Sequence, residues 1–146
     1  FVEVVGVATS FPFGVYTYGD GLSLKLLEVP LILIVNWALL SLLCFNSLIT
    51  LKLRWLRVLL SASLMVLVDF LIEPVAIFYD WWSWDLVNVP MTNYVGWFFA
   101  SLMIMIFYEY FLNVGDFKRR TRFISVNFLM IQIFFFFMIN ISIWVS

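Results

Sequence analysis

The 146-residue chain has no histidine and one cysteine, Cys44, set in an apolar run. Those shortages exclude a disulfide within the chain, a thiolate or imidazole metal site, haem ligation through histidine and histidine-based acid–base catalysis. Charge is scarce too. Only 12% of residues are charged and the net charge is −1, which argues against a nucleic-acid partner. No G-x-G-x-x-G or P-loop pattern offers a cradle for phosphate. There is no internal repeat, and no strand-like alternation long enough for a barrel. No basic segment precedes an apolar one at the start, so no cleavable signal peptide is visible. The chain opens at Phe1 inside an apolar run, and the expectation is that further residues precede it or that the start is processed.

What is abundant is apolar bulk. Hydrophobic residues make up 65% and aromatics 21% of the chain, with a mean hydropathy of +1.09. A soluble domain is nearer half apolar and a quarter charged. The composition is that of an integral membrane protein, read as one all-α domain over residues 1–146. Residues 1–16 read as the last turns of a helix and an exit loop, broken by Pro12 and Gly14. Four complete spans follow, at Pro30–Thr50, Val58–Phe78, Asn93–Asn113 and Phe123–Trp144, each long enough for a hydrocarbon core of roughly 30 Å. Seven of the eight Lys and Arg fall in the connections between the first and second spans and between the third and fourth. The positive-inside rule puts both connections in the cytoplasm, and the aromatic loop Tyr79–Thr92 and the C-terminus outside.

The stretch Val66–Trp97 carries the chemistry. Asp69 and Glu73 stand four residues apart in an apolar segment, a spacing that stacks them on one helix face. Ionisable groups at membrane depth are costly and mark functional sites, whereas the structural alternative is a solvated helix end. A buried carboxylic acid that keeps its proton is a donor for general-acid chemistry. Glu3 is a third candidate, with a water-facing helix end as the plainer alternative. Glu109 is expected to snorkel or to pair with the basic cluster Lys118–Arg122. Trp81, Trp82 and Trp84 read equally as an interfacial aromatic belt or as rings that stabilise a cation. Trp97 shares a helix face with Asn93, Ser101 and Tyr108 and is the better cavity candidate. Asn36, Asn93 and Gln132 fit either a substrate site or hydrogen bonding between helices. The D-x-x-x-E spacing also resembles, distantly, the D-x-x-x-D of membrane prenyltransferases, but the second acidic motif and the basic residues are missing.

A series of small motifs runs in order: Glu3, Gly6, Thr9, Phe13-Gly14-Val15-Tyr16, Tyr18, Val29-Pro30, Trp37, Asp69, Glu73-Pro74, Trp82, Trp84, Val89-Pro90, Asn93-Tyr94 and Gly96-Trp97. Over about residues 3–100 the chain resembles the integral-membrane carotenoid biosynthesis proteins of the carotenoid hydratase type. It departs from the family pattern at Asn88, where Gly is expected, and at Glu73, often Asp. Related membrane lycopene cyclases carry Pro-Leu-Glu-Glu where this chain has Pro90-Met91-Thr92-Asn93, which makes a cyclase the less fitting sibling.

The resemblance implies a helical membrane enzyme, in a prokaryotic plasma membrane, that adds water to a terminal C=C of an acyclic carotenoid without metal or cofactor. It implies Asp69, Glu73 and Glu3 as catalytic residues, with Tyr16, Asn36, Trp82, Trp84, Asn93 and Trp97 around the substrate. The carotenoid and membrane lipid are the expected partners, together with a second copy or a membrane complex. The competing reading is a non-catalytic subunit that binds carotenoid or packs a complex.

Overall fold

Long apolar runs become helices, and the breaks between them fall at proline and at charge. The computed structural model describes residues 2–19, 21, 22, 24–86, 88–112 and 119–145; the side chains of residues 2–5, 119 and 120 are outside the description. Among the described residues five helices are formed: α1 Val2–Thr9, α2 Leu31–Ser47, α3 Arg54–Phe78, α4 Met91–Phe111 and α5 Arg119–Val145. Pro30 and Pro90 sit in extended conformation at the N-caps of α2 and α4. There a missing N–H costs little.

The helices α3 and α4 and residues Thr121–Val145 of α5 are long and apolar enough to cross a membrane. The expected first span falls short of that. Helix α2 has 17 residues, about 25 Å at 1.5 Å per residue. It stops because residues 48–50 tighten into turns, with Leu48 N–H donating to Phe45 O and Ile49 N–H to Asn46 O. The guanidinium of Arg57 collects the carbonyls of Ile49 and Leu51 at 3.0 and 2.7 Å, which anchors the reversal.

Helix α3 also begins at Arg54, four residues ahead of the expected Val58, so Arg57 lies in its first turn. Arg57 is buried and holds Glu109 of α4 in a two-pronged pair, Nε to Oε2 at 2.8 Å and Nη2 to Oε1 at 2.6 Å. Among the described residues Arg57, with Arg54 at 3.6 Å, is the partner of Glu109; of the expected cluster, residue 118 and the side chains of Arg119 and Arg120 lie outside the described residues. The planar fork of arginine matches a carboxylate and tolerates burial in this form.

Helix α3 is central and packs against α2, α4 and α5. The core along it contains Cys44, Phe45, Ala62, Met65, Val68, Ala76 and Met105, all fully buried. Near its far end, Asn140 of α5 donates to Leu71 O at 2.8 Å, just short of Pro74. Large side chains on α4 and α5, among them Phe99, Met103, Ile131, Phe134 and Trp144, point outward. Apolar surface on this scale belongs against lipid.

Among the described residues there are also two short antiparallel ribbons, so the fold is not purely helical. Strand β1 (Tyr16–Tyr18) pairs with β4 (Trp82–Trp84) in the register Tyr16–Trp84, Thr17–Ser83 and Tyr18–Trp82. Strand β2 (Lys25–Leu26) pairs with β3 (Val29–Pro30). The first ribbon closes the bundle at the C-terminal end of α3, opposite the Arg57–Glu109 pair.

Candidate functional site

Strand alternation sets the inner wall of the site. Side chains two apart share a face, so Tyr16, Tyr18, Trp82 and Trp84 all turn toward the bundle. The outward pair, Thr17 and Ser83, joins its hydroxyls at 3.1 Å. Beneath the ribbon, the four-residue spacing brings Asp69 and Glu73 to the inner face of α3, at 6% and 2% exposure.

Three N–H donors converge on Glu73. Trp82 Nε1 and Trp84 Nε1 donate to Oε2 at 2.9 and 3.1 Å, and Asn93 Nδ2 donates to Oε1 at 2.8 Å. The two indoles come from the loop that also read as an interfacial belt, and their nitrogens point inward. A carboxylate is an acceptor only, so this donor set suits Glu73 in its ionised form. Asn93 is in place because α4 starts at Met91, which brings its first turn over the end of α3. There Thr92 Oγ1 donates to Phe13 O at 3.2 Å.

Two cavities meet at Asp69. The inner one, of about 30 Å³, has aromatic walls that carry the polar groups of Asp69, Glu73 and Asn93; Tyr16, Trp84 and Trp97 are among the rings that line it. A cavity needs roughly 10–15 Å³ to hold a water, together with polar partners; this one offers both. The second is an apolar groove of about 380 Å³ along α2, reaching Trp81 and Phe136. Four residues border both: Leu33, Trp37, Asp69 and Trp82. The groove continues past Asn36, Leu39 and Leu40 into a further hollow of about 330 Å³ against Phe128, Gln132 and Phe135 of α5.

An aromatic stack braces this junction. Trp37 lies on Trp97 with ring centroids 3.7 Å apart and planes 14° from parallel, and Trp97 lies on Phe13 at 4.5 Å and 26°. Phe13 is 1% exposed and is seated against two glycines. A Cβ at Gly6 would come within 2.6 Å of its ring, and one at Gly96 within 2.9 Å.

Most residues singled out by sequence therefore gather at one place. Asp69, Glu73, Asn93, Trp82, Trp84, Trp97 and Tyr16 border the inner chamber. Asn36 lies on the groove, which Asp69 also borders, and not on the chamber. Trp97 borders the chamber but not the groove, and the ring presented to the groove is that of Trp37. The side chain of Glu3 lies outside the described residues. Tyr18, Leu33 and Trp37 line the site without being among the expected site residues. The period-2 pattern shared by Tyr-Thr-Tyr and Trp-Ser-Trp is the available signal for Tyr18, since it marks two short strands with the same inward face.

The carotenoid biosynthesis protein family matches the chain over residues 1–146. The chain is also similar to the bisanhydrobacterioruberin hydratase of Haloarcula japonica, 29% identical over 132 residues, covering 83% of this chain. It spans about 44% of that relative's length. No solved structure matches it. The chain belongs to the carotenoid biosynthesis protein family.

Proposed function

For this member of the carotenoid biosynthesis protein family, we propose that the site adds water to a terminal C=C of an acyclic carotenoid. The observation that carries this reading is the position of Asp69, where an apolar groove sized for a ligand end meets a chamber sized for water.

The end of the polyene enters along α2. Asp69 gives its proton to the CH carbon of the terminal isopropylidene double bond, forming a C–H bond and leaving a tertiary cation on the dimethyl carbon. Water from the chamber attacks that carbon, and its surplus proton passes to Glu73. Asn93, Trp82 and Trp84 hold Glu73 in its accepting position. The proton then returns from Glu73 to Asp69 through the chamber, and the sum is one water added. No electron leaves or enters the substrate, so the reaction calls for no redox group. The quadrupoles of Trp37 and Trp82 face the cation.

In the same reading α2 crosses the bilayer with its flanking turns as a fourth span. The basic end, with Arg54, Arg57 and Arg122, lies in the cytoplasm and the site near the outer surface, in line with the charge bias. The test is pigment extraction and mass analysis from a lycopene-making host that expresses the protein. Carotenoid heavier by one or two waters supports the proposal. Unchanged lycopene beside well-expressed protein rejects it in favour of a binding subunit or another substrate.

A further inference from the structure

Resting on the hydratase reading, we propose that Trp37 is the specificity-determining partition of the site, admitting an acyclic polyene end to Asp69 and refusing a ring. The chamber of about 30 Å³ has room for water, and the substrate end coming along the groove meets it at the boundary residues Leu33, Trp37 and Trp82 beside Asp69. Of these, Trp37 is held by a continuous stack: it lies 3.7 Å from Trp97, which lies on Phe13.

Phe13 in turn cannot retreat. It is enclosed by Gly6 and Gly96, at distances that leave no space for a methyl group. Rigid aromatic walls discriminate by shape because moving them breaks several contacts together. Leu33, one helical turn before Trp37 on the same face of α2, completes the rim. Trp37 also separates the compartments, with the chamber on the Glu73 side and the apolar groove on the Leu39–Leu40 side.

Inhibition of lycopene hydration in membranes containing the intact protein tests this. The probe is a polyene closed by six-membered rings at both ends, and its inhibition constant is compared with the KM for lycopene. Wild-type protein is expected to be poorly inhibited. Trp37→Leu should bind the ringed polyene at least tenfold more tightly relative to lycopene, and Trp37→Phe should restore discrimination. A purely structural role would lower the amount of active protein and leave that ratio unchanged. An unchanged ratio in Trp37→Leu overturns the proposal. If wild-type protein turns over no lycopene, the hydratase reading fails separately. The partition is then read from which polyene co-purifies with each variant, and equal retention of ringed and acyclic pigment by wild type overturns it.

Discussion

Glu73 is defined by what donates to it. Two indoles and one amide, from the loop after α3 and the first turn of α4, converge on its two oxygens. A hydrogen bond to a charged group is worth about 1.5–3 kcal/mol. Trp84→Phe keeps an aromatic ring and removes one donor. Turnover measured in membranes is expected to fall about tenfold, equivalent to about 1.4 kcal/mol of barrier, with the protein folded. An unaltered rate would remove Trp84 from the positioning of Glu73. The acidic pair itself was legible in the sequence, because carboxylates at i and i+4 in an uncharged apolar run are costly unless they serve a site. Trp37 stood in the motif series of the family resemblance but not among the expected site residues, since an aromatic in the apolar segment Pro30–Thr50 looks like any lipid-facing or core residue. The stack on Trp97 and the two cavities set it at the candidate site.

Between elements, the two ends of the bundle are fastened differently. At one end the buried Arg57–Glu109 pair ties α3 to α4. Glu109→Ala would strand a buried guanidinium, at a cost of about 3–5 kcal/mol. Thermal unfolding in detergent should show a large loss of stability, most of it recovered in the double variant Arg57→Met, Glu109→Leu. A double variant no more stable than Glu109→Ala would contradict that role for the pair. At the other end the β1–β4 ribbon and the Phe13 stack fasten the site. In Gly96→Ala the new methyl meets Pro12 and Phe13 at 2.8 and 2.9 Å, and overpacking of this kind costs about 1–3 kcal/mol. Hydration should drop because the shift passes through Trp97 to Trp37. A Gly96→Ala protein with wild-type turnover would show the stack to be dispensable. Helices α3, α4 and α5 were legible from unbroken hydropathy. The ribbon was not, since its strands are three residues each and its central pair, Thr17 and Ser83, is 66 residues apart. Local pattern says nothing about pairing at that separation. The short end of α2 was equally hidden, because it depends on Arg57 capturing carbonyls from the preceding turn.

For the whole molecule, the arrangement is a gradient from charge to polarity. Arg57 and Glu73 both lie on α3, and their separation of 16 positions makes about 24 Å along its axis. In the proposed reading the basic end and the acid site stand near opposite faces of a bilayer. The apolar groove along α2 then receives the polyene, and the small chamber behind it has room for water. On that reading a long polyene stays in lipid while only its end reaches Asp69. This division of space places Asp69 on the boundary of both compartments, and the proposed chemistry turns on it. The most direct measurement is hydration of lycopene by Asp69→Asn protein in isolated membranes, at matched amounts of folded protein. The isosteric amide fills the same space without an acidic proton. Loss of general-acid catalysis predicts a fall of at least about a hundredfold. Hydration at the wild-type rate would contradict the mechanism, because some other group would then be the acid.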